Sequence, residues 1–124
     1  MLQRFLNIFK SKKQEETEPE PEPEPELTIL VLIKIKPEFR QEVFDSLKND
    51  EDGIKLTKAH KGCVSAEGRL STDDEETIVI WERWATTQDH EDYMKMRTDS
   101  GYFDKVGPKF ASPPVFIHLS KDSF

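Results

Sequence analysis

A strand that runs directly into a helix, over residues 76–96, constrains the fold of this chain more than any other stretch. Its strand portion consists mostly of β-branched and aromatic residues, which favour an extended, pleated backbone. Successive side chains of a strand point to opposite faces of the sheet. Ile78, Ile80 and Trp84 share one face, and Val79 and Trp81 share the other. Both faces of this strand therefore need cover.

Glu82 lies on the same face as Ile80 and Trp84. Burying a carboxylate among large apolar groups is costly unless it is paired, hydrogen-bonded or next to a wet pocket. Glu82 is therefore a candidate site residue. The structural alternative is that Glu82 pairs with Arg83, with Arg69 or with a backbone N–H.

The helix after this strand has a clear beginning. Thr86 and Thr87 stand where an N-cap is needed, and Asp89 follows three residues after Thr86, which approaches a capping box. Acidic residues in the first turn also favour the positive end of a helix. Because the strand and the helix are joined by a short connection, we expect any pocket to lie between the sheet and this helix.

Length and charge limit the possible functions. The chain has 124 residues, 35% of them hydrophobic, and a formal net charge of -7, which predicts one small domain. An acidic surface without a basic stripe argues against nucleic-acid binding. Cys63 is the only cysteine, so the chain has no internal disulfide, and we expect a reducing, cytoplasmic location. No apolar run is long enough to span a bilayer or to serve as a signal peptide.

Two segments precede the predicted domain. Residues 1–13 combine basic side chains with apolar residues at helical spacing. This segment is either a frayed or self-docked tail or a weak contact with a membrane surface. Residues 14–26 are rich in Glu and Pro, a composition typical of a stiff, extended linker.

Residues 27–120 form the predicted domain, and residues 121–124 form a tail. The order of elements in this domain is typical of the ferredoxin-like βαββαβ arrangement, an α+β fold with an antiparallel sheet. Gly68 indicates a bulge or a close backbone approach. The predicted elements are a strand over 27–36, a helical segment over 37–56 with a weak point at Asp52-Gly53, strands over 63–71 and 77–84, a helix from Thr87, a short helix within 102–110 and a strand over 115–119.

In this arrangement both helices cover the same face of the sheet. The other face is also apolar, and large exposed apolar surfaces usually mark an interaction site. A second copy of the same chain related by a two-fold axis would cover it. We therefore expect a homodimer.

Residues 28–119 resemble the antibiotic biosynthesis monooxygenase (ABM) domain, a dimeric α+β barrel. The motifs that carry the resemblance are Lys36-Pro37 after the first strand, Gly62-Cys63 at the second strand and Glu82-Arg83-Trp84 at the end of the third. The resemblance implies a small oxygenase, in some members cofactor-independent and acting on quinol-type or other small aromatic molecules. Tyr93 replaces a histidine of many members. The first strand lacks the asparagine, and the second helical region the histidine, of the haem-degrading branch, which argues against haem degradation.

An oxygenase without metal or flavin binds an electron-rich aromatic, removes a phenolic proton and holds the resulting anion near O2 in a dry cavity. Glu82 or His60 could accept the proton, and Tyr93 could hydrogen-bond a substrate oxygen. These three are the candidate catalytic residues, with no metal or other cofactor. The candidate substrate-binding residues are Trp84, Met94 and Phe103.

Each candidate also has a purely structural interpretation. Trp84 could fill the core, Tyr93 could pack in the core with a hydrated hydroxyl, and His60 could be a solvated turn residue. His90 is expected in the exposed first turn of its helix, and Cys63 as a small buried residue. The three histidines are too far apart in sequence to indicate a metal site.

Two functions from different classes remain. The first is the ABM-like oxygenase with a pocket in each protomer. The second is a non-catalytic dimeric domain that binds a small ligand or a partner, tethered through its N-terminal segment.

Overall fold

The fold is built on a four-stranded antiparallel sheet with the strand order β2-β3-β1-β4. The structure, a computed structural model, describes residues 24–124. The proposed segment 1–13 and most of the linker 14–26 lie outside the described residues. The strands are β1 (Leu27–Lys34), β2 (Cys63–Leu70), β3 (Thr77–Trp84) and β4 (Val115–Ser120).

The four α-helices of the described chain lie on one side of this sheet. They are α1 (Arg40–Asn49), α2 (Ile54–Ala59), α3 (Thr87–Asp99) and α4 (Tyr102–Val106), with short 3₁₀ turns at Pro37–Phe39 and Gly107–Lys109. The βαββαβ order and the antiparallel pairing confirm the predicted ferredoxin-like fold. No helix within residues 24–124 is long and apolar enough to cross a membrane.

The helical segment predicted from Pro37 towards Leu56 is broken at the predicted weak point. Helix α1 ends at Asn49, and α2 begins after Gly53. A Cβ atom at Gly53 would overlap the carbonyl oxygen of Leu47. Only glycine therefore lets the chain fold back this closely between the two helices.

The inner face of the sheet, towards the helices, carries the core. In β1, burial alternates strictly along the strand, which places every second side chain inside. The buried core residues of the two central strands are Leu27, Ile29, Val31, Ile33, Ile78 and Trp84.

The outer face of the sheet has no cover within residues 24–124. Leu30 of β1 lies opposite Trp81 of β3 and Ile117 of β4, and residues opposite each other in antiparallel strands share a face. Trp81 is 42% exposed and Ile117 is 39% exposed. We call this surface the outer apolar face; it comprises Leu30, Leu32, Val79, Trp81, Val115, Ile117 and Leu119.

The start of α3 is fastened in two ways. The Thr86 hydroxyl accepts a hydrogen bond from the Asp89 N–H at 3.0 Å, which confirms the predicted N-cap. The Glu26 carboxylate, just before β1, accepts a hydrogen bond from the Thr87 N–H at 2.6 Å. The beginning of the helix is therefore tied both to its own cap and to the start of the central strand.

Gly68 does not mark a bulge. It lies in the regular ladder opposite Ile80, and an added Cβ would make only an ordinary contact. The irregularity in β2 falls instead between Cys63 and Ser65. This strand begins after Gly62, whose φ of 85° lies in the left-handed region.

We expect Gly62→Ala to lower the free energy of unfolding by about 2 kcal/mol or more. An alanine is strained in the left-handed backbone conformation, and its Cβ would overlap Asp89. Gly101→Ala is the matched control, because Gly101 has a φ of 78° but open space around its Cα. The control should lose only about 1 kcal/mol. Urea unfolding measures both, and equal losses would contradict the proposed overlap.

Candidate functional site

Glu82 is a buried carboxyl group on the inner face of β3. It is 5% exposed, and its Oε1 accepts a hydrogen bond from the indole Nε1 of Trp84 at 3.0 Å. The expected alternative partners do not bind it, and Arg69 instead lies beside Glu67. Burial raises the pKa of Glu82, while the Trp84 hydrogen bond and the charge of Arg97 oppose this shift. Glu82 is thus a carboxyl group with a raised affinity for a proton.

Tyr93 projects from α3 into the same layer. Its hydroxyl lies 2.7 Å from the hydroxyl of Thr57 in α2, and it accepts a hydrogen bond from Arg97 Nε at 2.8 Å. Burial raises the pKa of Tyr93, and the neighbouring Arg97 charge opposes the shift. The Tyr93 hydroxyl is therefore neutral at physiological pH and held in a fixed position.

Arg97 completes this network, and the sequence reasoning missed it. It is 3% exposed, and it also donates hydrogen bonds to the carbonyl oxygens of Asp52 and Gly53 and to the Thr57 hydroxyl. The available signal was its spacing, because Arg97 follows Tyr93 by four residues and so lies on the same face of α3.

A cavity of about 80 Å³ lies between the sheet and the helices. That is about half the volume of an engineered protein cavity that admits benzene, roughly 150 Å³. Four of the six predicted site residues line it, namely Glu82, Tyr93, Met94 and Phe103. Other wall residues include Val31, Ile33, Thr57, Ile80, Arg97 and Phe116.

Trp84 and His60 lie outside the cavity wall. Trp84 is fully buried and packs with its ring centre 5.0 Å from that of Tyr93. This placement matches the core-packing interpretation of Trp84. His60 is half-buried rather than fully solvated, with its ring 5.5 Å from Tyr93 and 6.0 Å from Trp84. The rings of both residues pack against the ring of Tyr93.

The expectation that His90 is exposed is wrong. His90 is 5% exposed, and its Nε2 atom has no hydrogen-bond partner among residues 24–124. The rings of Trp84 and His118 lie 5.5 and 5.7 Å from it and cover the first turn of α3. Burial, with a smaller contribution from His118, lowers the pKa of His90 to about 4.

Cys63 is half-buried and lies opposite Trp84 in the sheet. Burial and the negative charge of Glu82 raise the pKa of its thiol to about 11, which does not favour a reactive thiolate. Across residues 24–124, no group of three or more His, Cys, Asp or Glu side chains is arranged to hold a metal ion.

An antiparallel four-stranded sheet, helices on one face and a cavity between the two layers define a ferredoxin-like α+β protein. The chain belongs to the antibiotic biosynthesis monooxygenase family, whose family model matches residues 27–102. The resemblance carried by the Gly62-Cys63 and Glu82-Arg83-Trp84 motifs is thereby confirmed.

Solved structures share this fold at low sequence identity. A Streptomyces coelicolor monooxygenase, solved with the ligand nanaomycin D, is 13% identical with a TM-score of 0.68, covering 83% of this chain and 93% of that one. The protein Rv0793 of Mycobacterium tuberculosis is 20% identical, with a TM-score of 0.65 and coverages of 76% and 92%. A conserved protein from Methanosarcina mazei is 16% identical, with a TM-score of 0.67 and coverages of 81% and 96%. A comparison with curated proteins gives no match.

The buried His90 predicts a pH dependence of stability. Its pKa is about 4 in the folded chain and about 6.5 in an unfolded one, so between these values the unfolded chain binds the extra proton. Stability should therefore fall by about 2 kcal/mol from pH 7 to pH 5 through this group.

We expect His90→Phe to remove this part of the pH dependence. Glu82, whose pKa is raised, acts in the opposite sense in both proteins, so the difference between wild type and variant isolates His90. Urea unfolding at pH 5, 6 and 7 provides the measurement. Parallel pH curves for the two proteins would show that His90 is not buried as a neutral ring.

Proposed function

We propose that this protein is a small, cofactor-independent oxygenase that acts on a quinol-type or other small aromatic molecule in the cavity. The observation that carries the proposal is that Glu82 and Tyr93 share one largely apolar cavity between sheet and helices. A proton acceptor and a hydrogen-bonding hydroxyl in a dry cavity are what the reaction requires. Membership of the monooxygenase family adds support.

In this mechanism Glu82 removes the phenolic proton. Its Oε1 is held by the indole of Trp84, which leaves Oε2 for the substrate. The raised pKa of Glu82 makes it a stronger base towards a weakly acidic phenol. The resulting anion reduces O2: one oxygen atom enters the ring as a carbonyl, the other leaves as water with two substrate hydrogens, and the substrate supplies all four electrons.

Tyr93 orients the substrate oxygen. Arg97 donates to both the Tyr93 and the Thr57 hydroxyls. If Thr57 donates its own hydrogen to Tyr93, the Tyr93 hydrogen is available to the developing phenolate. Preorganised donors of this kind stabilise charge that develops during a reaction.

An aromatic ring needs more room than the cavity of about 80 Å³ provides. The wall formed by α4 and the following turn is held to the rest of the helical layer by two ion pairs, Lys105 with Asp52 at 2.8 Å and Lys109 with Glu42 at 2.5 Å. Partly exposed ion pairs contribute little stability. The turn after α4 is also held to the end of β1 by backbone hydrogen bonds, from the Lys36 N–H to the Lys109 carbonyl and from the Ala111 N–H to the Lys34 carbonyl. Admitting a ring therefore requires α4 itself, rather than this turn, to move outward.

Aerobic incubation with a panel of quinols, followed by an oxygen electrode, tests the proposal. We expect substrate-dependent O2 uptake that falls at least about a hundredfold when Glu82→Gln and Tyr93→Phe are combined. Glu91→Gln, on the exposed side of α3, is the matched control and should keep full activity. Turnover that survives the double substitution would show that these residues are not the site.

A second candidate is a non-catalytic domain that binds a small ligand or a partner. The small cavity volume favours it, as does the placement of Trp84 and His60 outside the wall. Thermal stabilisation by an aromatic ligand without any O2 uptake would favour this candidate over the oxygenase. Its proposed tether, residues 1–26, lies mostly outside the described part of the chain.

We also propose that the outer apolar face is covered by a second copy of the chain. Trp81, Val115 and Ile117 are all more than a third exposed on it. A continuous apolar surface that crosses three paired strands is what a two-fold symmetric dimer would bury. The cavity lies on the opposite side of the sheet, so each protomer would keep its own site.

We expect the full chain to sediment as a dimer at micromolar concentration, and Trp81→Glu or Ile117→Glu to sediment as a monomer with an unchanged circular dichroism spectrum. A charge placed in the centre of a buried apolar contact is strongly unfavourable. Gln88→Glu, on the exposed surface of α3, adds the same charge and should remain dimeric. A wild-type monomer under these conditions would contradict the proposal.

A further inference from the structure

The charge of Arg97 has no acidic partner in the described chain. Its guanidinium is buried in the cavity wall, yet it forms no ion pair with any carboxylate among residues 24–124. Its nearest aromatic neighbour is Tyr102, whose ring centre lies 4.2 Å from Cζ. An unpaired buried charge is costly, so this position favours the arrival of an anion.

The hydrogen bonds of Arg97 use neutral acceptors only. Nε bonds to Tyr93, Nη1 to the carbonyl of Asp52, and Nη2 to the carbonyl of Gly53 and to Thr57. An arginine side chain has five N–H groups, so one hydrogen on Nη1 has no acceptor among the described residues. The group is well fixed in position, and one of its donors remains unused among residues 24–124.

The other two cationic residues of the cavity wall are paired. Lys105 and Lys109 are paired with Asp52 and Glu42. Glu82 is the only acidic residue among the described wall residues, and its Oε1 accepts a hydrogen bond from the Trp84 indole while no ion pair joins it to Arg97. Arg97 is therefore the one cationic residue of the described cavity wall that has no ion-pair partner.

We infer that the cavity selects a small organic anion, a ligand with an apolar body and one ionised carboxylate, phenolate or enolate oxygen, and that Arg97 determines this selectivity. The inference rests on the proposed function, because it concerns the same cavity and specifies the chemistry of its substrate. The apolar walls receive the body of the ligand, and the remaining N–H of the Arg97 guanidinium receives its charged oxygen.

Arg97 also has a structural task, since it joins the turn at Asp52 and Gly53 to α3. That task alone predicts no preference between an acid and its neutral amide. A charge-dependent preference therefore separates ligand selection from structural support.

Calorimetric titration of the full chain with two isosteric pairs tests the inference. Butyrate and butyramide probe the cavity at its present size, and benzoate and benzamide probe it with an aromatic ring. We expect each acid to bind about tenfold to a hundredfold more tightly than its amide, the range typical of a hydrogen bond to a charged group. Equal affinities within both pairs would overturn the inference.

Variants of α3 locate the selectivity. In Arg97→Gln the acid-to-amide ratio should fall to near one with little change for the amides. Lys95→Gln is the matched control, because Lys95 is an exposed cation on the same helix that pairs with Asp99, and it should keep the wild-type ratio. If Arg97→Gln does not fold, the Arg97 Nε–H resonance of the labelled wild-type protein decides: benzoate should shift it, and no shift would overturn the inference.

The outcomes also separate this inference from the oxygenase. Oxygen uptake with neutral quinols but no preference for acids would overturn the anion selectivity and leave the oxygenase intact. A preference for acids without oxygen uptake with any substrate would support the selectivity and favour the non-catalytic candidate.

Discussion

The hydrogen-bond network of Arg97 holds the helical layer of this protein together. One guanidinium binds the carbonyl groups that end the break between α1 and α2, the Thr57 hydroxyl in α2 and the Tyr93 hydroxyl in α3. These elements would otherwise meet only through scattered side-chain packing. The network joins α2 to α3, and both helices contribute its residues to the cavity wall. Four of the five N–H groups of the guanidinium are satisfied within it, and satisfied buried polar groups make a core more rigid.

The fold could be predicted from the sequence because its strongest signals are local. The β-branched runs of β1 and β3, the threonine cap at Thr86 and the break near Gly53 each reflect a short-range rule of backbone or side-chain chemistry. Helix α3 shows where such rules stop. Its buried face consists of Asp89, His90, Tyr93 and Arg97, so no apolar periodicity marks it. The burial of His90 and the role of Arg97 follow only from tertiary packing.

The residues of the candidate site could likewise be predicted only where a local rule marks them. Glu82 stood out because a carboxylate between apolar neighbours on a strand violates a general rule, and its burial bears out that reasoning. Its hydrogen bond to the Trp84 indole could not be foreseen, since residues two apart on a strand share a face without necessarily bonding to each other. The family match and the shared fold, at identities of 13 to 20%, provide the scaffold. Substrate chemistry must come from this chain's own cavity residues.

The Thr57–Tyr93–Arg97 network has a consequence for how such a site can diverge. These three side chains contact one another as well as the cavity, so a single replacement that alters ligand chemistry also leaves a buried hydrogen-bonding group without its partner. Gradual drift at one position is therefore disfavoured. Relatives with different ligands should differ at all three positions together, and covariation among them would be the evolutionary record of that coupling.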